Sequence, residues 1–542
     1  MPATATATAE RDAGCNVAVV GAGASGLAVA WTLARRGLRV AVLEQGEVVD
    51  QRPAPSLEMD WERALQSRFH PDPNIRRLPS DYPVAVLGTE IRPATYSGVG
   101  GATLRWGAHF PRLRPSDFRV RSLDGVAEDW PIAYRDLEPW FDLNDRMTGV
   151  SGLAGDPANP PRPARPLPPL PLGPGPARLA RAFDRLGWHW WPSDAAICTA
   201  PRDGREACNN CGPCGVGCPR LARASADVVY GRPALAAGAE IRSGTRVLRV
   251  ELDATGRVAG LLYSRGGERR FLPARTVVMA ANGMGTARLL LCSASERHPE
   301  GLGNASGLVG RNLMHHPTAM VTGLFPERLD GHRGPFACAL FSQEFVESDP
   351  SRGFLRGYQM QATRGGGPVQ TALGGYMARV PWGRGHHDAF AATFTHSVSL
   401  TVTTEDLPDP ENRVTLDPQL RDGDGLPAPA LRYRVGENTR RMLAHGVARA
   451  SEVLRAAGAT GVSVNPLVAA AGFHFLGTTR MGEDPARAVT DAVGRVHGVP
   501  GLLAVDGGVF VTAGAVNPTS TIQAVALRAA DALANRLERA AA

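Results

Sequence analysis

The feature that most constrains the fold is a G-x-G-x-x-G motif at residues 21–26, set between a strand-like and a helix-like segment. Residues 16–20 (NVAVV) are apolar and mostly β-branched, which predicts a short buried strand. Residues 27–36 have a helical pattern closed by Gly37, and residues 38–43 predict a second strand. This β-α-β unit predicts an α/β fold with a parallel sheet.

Each glycine of the motif has a physical role in holding a dinucleotide. Gly21 permits the tight turn, Gly23 lets a pyrophosphate approach the backbone, and Gly26 lets the helix pack closely on the strand. Glu44 ends the second strand and is placed to accept a hydrogen bond from a ribose hydroxyl. The alternative is a glycine-rich turn without a ligand, and the motif alone does not separate FAD from NAD.

The composition of the 542 residues is that of an ordinary globular protein, with 43% apolar and 20% charged residues. The formal net charge is +7, yet the basic residues are scattered, and no basic stripe predicts binding to nucleic acid. All 59 basic residues are arginine. The absence of lysine excludes Schiff-base catalysis, pyridoxal phosphate anchoring and a P-loop lysine.

The N-terminal segment Met1 to Gly14 is polar and rich in Ala and Thr. It lacks the basic and apolar regions of a secretory signal, and no twin arginine precedes the first strand. No run of 18 apolar residues predicts a membrane span. We therefore expect a cytoplasmic protein.

Five further motifs occur in a fixed order along the chain. They are YSGVGGATLRWGAHFPR (96–112), DWPIAYRDLEPWF (129–141), VGRNLMHHP (309–317), GFHFLGTTRMG (472–482) and DGGVFVTAGAVNPTSTI (506–522). In this order they resemble the glucose–methanol–choline (GMC) flavoenzymes, in particular the bacterial branch of sugar and polyol dehydrogenases. The resemblance spans nearly the whole chain and is weakest at residues 320–400.

The resemblance implies an α/β fold in which a Rossmann-type FAD-binding domain is combined with a discontinuous α+β substrate-binding domain. The implied FAD-binding domain comprises residues 14–115, 219–312 and 476–542. The implied substrate-binding domain comprises residues 116–218 and 313–475, with a proline-rich connection at 155–176 and a cysteine-rich loop at 208–218. Residues 320–400 are expected to line the substrate pocket.

The resemblance also implies which residues contact FAD. Beyond the first motif and Glu44, these are positions at the flavin, its phosphate and ribityl region, and the adenine: Gly100, Gly101, Thr103, Val247, Asp506, Gly507, Pro518 and Thr519. Related oxidases attach the flavin covalently through a histidine just before the tryptophan of the second motif. Because Arg105 stands there, before Trp106, we expect non-covalent FAD.

His474 and Asn517 match the family's catalytic pair. A neutral imidazole suits removal of a hydroxyl proton, since its unperturbed pKa lies near 6.5. The resemblance implies that Asn517 holds the same oxygen and orients the C–H bond toward the flavin. The alternative for His474, in the apolar run AAAGFHFLG, is a buried histidine of the core.

Five other histidines are weaker candidates for a substrate role. They stand after the glycine stretch, in the VGRNLMHHP motif and in a loop rich in Gly and Arg: His109, His315, His316, His386 and His387.

Four of the eight cysteines, Cys208, Cys211, Cys214 and Cys218, have the spacing C-x2-C-x2-C-x3-C followed by proline. This is the spacing of a bacterial ferredoxin run and predicts an iron–sulfur cluster, either 3Fe-4S or, with a distant thiol such as Cys198, 4Fe-4S. Some sugar dehydrogenases of this branch carry a three-iron cluster at an equivalent place, with different cysteine spacing. A zinc site and purely structural thiols are the alternatives.

These features together predict an FAD-dependent dehydrogenase that oxidises an alcohol group of a sugar, glycoside, polyol or secondary alcohol by hydride transfer to flavin N5, with His474 as the base. A cluster would pass electrons singly to an acceptor protein or partner subunit. The rivals are an oxidase using oxygen, a non-redox lyase or isomerase with structural FAD, and an electron-transfer subunit with a vestigial site.

Overall fold

The computed structural model describes residues 10–364, 366–374 and 380–541. Residues 1–9, on which part of the cytoplasmic prediction rests, lie outside the described residues, as do residues 365 and 375–379 of the expected pocket segment. Across the described ranges, no helix is both long and apolar enough to cross a membrane.

Strands from all parts of the chain build three sheets. In chain order they are β1 (Glu10–Arg11), β2 (Cys15–Val20), β3 (Val40–Leu43), β4 (Ala85–Val86), β5 (Trp191–Pro192), β6 (Glu240–Arg242), β7 (Thr245–Leu252), β8 (Val258–Arg265), β9 (Glu268–Met279), β10 (Thr318–Leu324), β11 (Leu340–Ser342), β12 (Tyr358–Arg364), β13 (Ser397–Thr404), β14 (Arg413–Arg421), β15 (Pro427–Arg432), β16 (Gly461–Asn465) and β17 (Leu502–Ala504).

The α-helices connect and cover these sheets. They are α1 (Ala24–Ala34), α2 (Glu62–Leu65), α3 (Pro73–Arg76), α4 (Val120–Asp124), α5 (Tyr134–Thr148), α6 (Pro174–Leu186), α7 (Arg232–Ala236), α8 (Asn282–Cys292), α9 (Pro368–Leu373), α10 (His386–Thr393), α11 (Glu437–Ala456) and α12 (Thr519–Ala541).

The first sheet has the strand order β6-β3-β2-β9-β8-β7, and β1 and β17 also pair with β9. Residues 274–279 of β9 pair in parallel with β2, whereas residues 268–273 pair antiparallel with β8. All four residues of β3 are buried, as expected for a parallel strand covered on both faces. The predicted β-α-β unit is therefore confirmed at the centre of this sheet.

Two glycines of the first motif let α1 dock on this sheet. Gly21 has a φ of +101°, and a Cβ placed there would lie 2.6 Å from the carbonyl oxygen of Ala280. A Cβ at Gly26 would lie 2.0 Å from the oxygen of Gly21. Since real side chains do not approach backbone so closely, both positions require glycine for the helix and strand to meet.

The second sheet is antiparallel, with the order β16-β10-β13-β12-β11-β5. Every residue of β13 is buried, and helices α6 and α11 pack on β12 and β13. Because the helices cover one face, the other face is free to line a cavity. A third, smaller sheet has the order β14-β15-β4.

Two segments refine the sequence predictions. The strand predicted at residues 240–250 is divided into β6 and β7 by a turn in which Gly244 has a φ of +58°. The proline-rich stretch 155–176 is irregular up to Pro174, where α6 begins, because proline is tolerated in the first helical turn.

Candidate active site

A cavity of about 630 Å³ lies between the first two sheets. Most of the predicted site residues line it, and they lie on the first sheet and on the loops and helical turns around it: Gly21, Gly23, Glu44, Gly101, Thr103, Cys214, Val247, His474, Asp506, Gly507, Asn517, Pro518 and Thr519. Gly26 lies beneath α1, and the amide of Gly100 donates to the carbonyl oxygen of Ala22 over 2.8 Å.

Glycine backbone forms one wall of the cavity. A Cβ added to Gly23 would meet nothing within 4 Å, so the backbone here borders open space. A Cβ on Gly101 would lie 2.9 Å from the Cα of Gly23, so the two glycine segments approach each other closely. Ala24 and Ser25, in the first turn of α1, also face the cavity. This arrangement fits the pyrophosphate of the predicted FAD, because the positive end of a helix dipole attracts phosphate.

Glu44 is fixed at the end of β3 by backbone groups. Its carboxylate accepts hydrogen bonds from the amides of Ala22, Gly46 and Gly98 over 2.9, 2.9 and 3.1 Å. Burial raises the pKa of Glu44 to about 7, opposed by these three N–H donors. A carboxylate can accept about four hydrogen bonds, so capacity remains for a ribose hydroxyl.

Asp506 is a second buried carboxylate that lines the cavity. Its carboxylate accepts from the hydroxyl of Thr286 over 2.5 Å and from the amide of Gly508 over 2.9 Å. Burial raises the pKa of Asp506 to about 6. Gly507, the first residues of α12 and Val247 on β7 line the same cavity. The predicted FAD contacts thus border one cavity.

His474 is half-buried and lines the same cavity. Its Nδ1 lies 2.9 Å from Nδ1 of His316, and the two rings are nearly perpendicular at 87°. Burial, followed by the charges of His316 and His315, lowers the pKa of His474 well below its ordinary value of 6.5. The ring is therefore neutral at physiological pH, as a proton acceptor must be.

The two histidines of the VGRNLMHHP motif, His315 and His316, contact the backbone and the ring of His474, respectively. Nε2 of His316 donates to the carbonyl oxygen of Gly514 over 2.8 Å. Nδ1 of His315 donates to the carbonyl oxygen of His474 over 2.6 Å. His316 also lines the cavity.

The other histidine candidates divide into two groups. His109 is buried on the cavity wall, and burial lowers its pKa to about 4. His386 and His387 begin α10, where His387 is exposed. Neither His386 nor His387 is among the described residues that line the cavity.

Asn517 faces the cavity and has a partner that the sequence analysis missed. Gln359 on β12 is fully buried, and its Nε2 donates to Oδ1 of Asn517 over 3.0 Å. The only sequence signal is the alternation of polar residues in the buried strand YQMQATR (358–364). Polar side chains of this and neighbouring strands also line the cavity: Thr318, Gln361, Thr363, Thr401 and Thr403.

The cysteine-rich loop reaches the cavity at Cys214. Burial raises the pKa of the Cys214 thiol to about 12, and the neighbouring Cys208, Cys218 and Cys211 raise it further. Within the described ranges, which include all four cysteines, no group of three or more His, Cys, Asp or Glu side chains could hold a metal ion. The thiols as placed therefore do not fit the predicted iron–sulfur cluster or metal site.

Arg105, which precedes Trp106, stands at the position that the family resemblance predicts for the flavin-linking histidine of related oxidases. Its Nε donates to the carbonyl oxygen of Gly215 over 3.2 Å, and its guanidinium lies 5.5 Å from the centre of the Tyr96 ring. The side chain thus joins the glycine wall to the cysteine-rich loop.

Comparison with known proteins gives matches along the chain. Two protein-family models described as GMC oxidoreductase match residues 179–318 and 408–526 of the sequence. A third family model, described as FAD dependent oxidoreductase, matches residues 16–52. The chain is 40% identical over 536 residues to a 2-methyl-1,2-propanediol dehydrogenase of Mycolicibacterium austroafricanum, covering 96% of this chain and 95% of the relative.

A second relative and a solved structure are also similar to this chain, at lower sequence identity. A 6'''-hydroxyparomomycin C oxidase of Streptomyces lividus is 33% identical over 536 residues, covering 96% of this chain and 92% of the relative. The structure of a pyridoxine 4-oxidase from Mesorbium loti matches with a TM-score of 0.65 and 18% identity, covering 96% of this chain and 99% of that one. At that identity the match shows a shared fold.

Proposed function

This chain belongs to the GMC oxidoreductase family, and we infer that it oxidises an alcohol group to a carbonyl with FAD as the hydride acceptor. The observation that carries this function is that a half-buried histidine with a lowered pKa and an asparagine line the same cavity as the residues that fit FAD. An anaerobic screen of alcohols tests it, since a true substrate bleaches the flavin absorbance. A protein that turns over its substrate without bleaching would instead be a lyase or isomerase.

We propose that His474 is the base and that Asn517 holds the reacting oxygen. The neutral ring of His474 accepts the hydroxyl proton, while an N–H of the Asn517 amide donates to the same oxygen. When bound, FAD supplies the two-electron acceptor for the hydride.

The substrate proposed is a small neutral diol, polyol or sugar. Among the described cavity residues the carboxylates are Glu44 and Asp506, both on the wall that fits FAD. The strands of the second sheet present hydroxyl and amide groups, and also Arg364, whose guanidinium donates to the carbonyl oxygens of Arg333 and Leu172. The hydroxyl and amide groups match substrate hydroxyls and offer a cation no countercharge. The 40%-identical relative is named for a neutral diol, which supports this class. A screen of matched diols, amino alcohols and hydroxy acids tests it, and preference for a charged member contradicts it.

We propose a dehydrogenase over an oxidase, although the similar proteins include both kinds. The test is to measure peroxide in air without an added electron acceptor. A dehydrogenase forms peroxide only slowly under these conditions. The partner expected for a dehydrogenase is a one-electron acceptor protein or subunit. Rapid stoichiometric peroxide formation in air would identify an oxidase.

The iron–sulfur cluster is proposed on the cysteine spacing alone, since the placed thiols form no ligand set, and it enters no step of the mechanism. Protein purified anaerobically should contain about three or four iron atoms per chain with acid-labile sulfide. Zinc, or no metal at all, contradicts the cluster.

Two further parts of the assignment are proposals. FAD is held non-covalently, because Arg105 occupies the linking position, so acid precipitation should release all of the flavin. The chain divides into the discontinuous FAD-binding and substrate-binding domains given above. Supporting this division, β2, β3, β6, β9 and β17 of the first sheet fall within the FAD-binding segments.

A further inference from the structure

The contact between His474 and His316 joins like atoms, Nδ1 to Nδ1, 2.9 Å apart. In a hydrogen bond between two nitrogens one must carry the proton and the other must offer a lone pair. The contact therefore has two possible polarities. They differ in which ring nitrogen of His474 remains free to accept a proton from a substrate.

The other nitrogen of His316 decides the polarity. Nε2 of His316 lies 2.8 Å from the carbonyl oxygen of Gly514, and a carbonyl oxygen only accepts, so Nε2 carries a proton. The ring is fully buried, and burial lowers its pKa to about 4, so at neutral pH it carries one proton only. Nδ1 of His316 is therefore the lone-pair side.

From this chain of bonds we propose that His316 is a positioning residue that sets the tautomer of His474. Nδ1 of His474 carries the proton and donates to His316, which leaves Nε2 of His474 as an unprotonated base toward the cavity. This inference rests on the proposed role of His474 as the base. It explains why Nε2 of that ring carries no proton before the substrate binds. Once Nε2 has taken the substrate proton, the charged ring still donates from Nδ1 to His316, which stabilises it.

The opposite polarity would require a charged His316 in the buried interior. That ring would have to donate from both nitrogens, to Gly514 and to His474, and would place a positive charge beside the reacting group. Desolvation disfavours such a charge, and no carboxylate among the described hydrogen-bond partners of His316 offsets it. His315 donates to the backbone carbonyl of His474 and makes no hydrogen bond to its ring nitrogens among the described contacts.

The tautomer can be read directly in the FAD-loaded protein at neutral pH. Long-range nitrogen–proton NMR of protein with ¹⁵N-labelled histidine distinguishes a protonated Nδ1 from a protonated Nε2. The His474 signals are assigned by their loss in His474→Ala. We expect the proton on Nδ1, and a proton on Nε2 overturns the proposal. This readout does not depend on turnover, so it stays valid if His474 proves not to be the base.

Two variants of similar size test the consequence for the reaction. His316→Leu removes the acceptor and should slow flavin reduction by about 10- to 100-fold, the worth of a hydrogen bond to a charged group, with substrate affinity little changed. His316→Asp places a carboxylate oxygen near the position of Nδ1 as a replacement acceptor. This variant should recover most of the lost rate. Flavin reduction by the folded Leu variant at the wild-type rate would contradict the proposal. Where a variant does not bind FAD, the NMR result on the wild-type protein decides.

Discussion

Gln359 donates an amide N–H to Oδ1 of Asn517 over 3.0 Å from a fully buried position on β12. Because Oδ1 is occupied, the NH₂ group of Asn517 is left to face the cavity as a donor. In the mechanism proposed above, a substrate hydroxyl would meet one acceptor, at His474, and one donor, at Asn517, which is the pair that an O–H group needs.

Replacing Gln359 should therefore weaken the hold on the reacting oxygen. Gln359→Leu removes the bond and should slow flavin reduction by about 3- to 10-fold, the usual worth of one neutral hydrogen bond. Gln359→Glu should be slower still, since its carboxylate attracts the NH₂ group of Asn517 and turns it away from the cavity. Anaerobic stopped-flow absorbance measures both. Equal rates for the Glu variant and wild type would show that the amide orientation is set by other contacts.

His474→Ala should lower the rate of flavin reduction by about 10²- to 10⁴-fold, the usual contribution of a positioned base. FAD content should stay near that of the wild type, because the G-x-G-x-x-G motif at residues 21–26 and Glu44, which are expected to hold the cofactor, are unchanged. The control is His387→Ala, an exposed histidine on α10 that should reduce its flavin normally. A normal reduction rate in His474→Ala would remove this residue from the mechanism.

The pH dependence follows from the lowered pKa of His474. Burial disfavours the charged ring, so its pKa lies well below 6.5, and the base is lost only when the pH falls beneath that lowered value. The flavin reduction rate with a non-ionisable substrate should stay level from about pH 9 down past about pH 6.5 and fall only in more acidic buffer. A fall centred at or above the ordinary histidine pKa would mean that the working base is a solvated group.

Glu44→Ala should weaken FAD binding by about 10- to 100-fold, since it removes a charged hydrogen-bond acceptor and leaves three buried amides without it. The dissociation constant is measured by titrating apoprotein with FAD and following flavin fluorescence. Glu58→Ala, at an exposed position, serves as the matched control. Unchanged affinity in Glu44→Ala would place the ribose elsewhere.

Much of the fold could be predicted from local pattern. The short apolar strands, the glycine turn and the long amphipathic helix near residues 438–457 each follow from a few neighbouring residues, and the structure places them as β2, β3 and α11. Local pattern did not predict which face of the second sheet lines the cavity. Its polar residues alternate within buried strands, and such alternation alone does not tell a solvent face from a cavity wall.

Local pattern predicts the parallel β-α-β core and the glycine turn, because motif spacing encodes backbone conformation. The family resemblance names His474 and Asn517, and their roles are proposed. The partners that fix these two side chains come from distant parts of the chain. His316 is 158 residues from His474, and Gln359 is 158 residues from Asn517, so each pair meets only when the sheets and loops pack. The tertiary structure likewise decided that the four cysteines, close in sequence, form no ligand set as placed, since a loop's sequence spacing does not dictate where its thiols point.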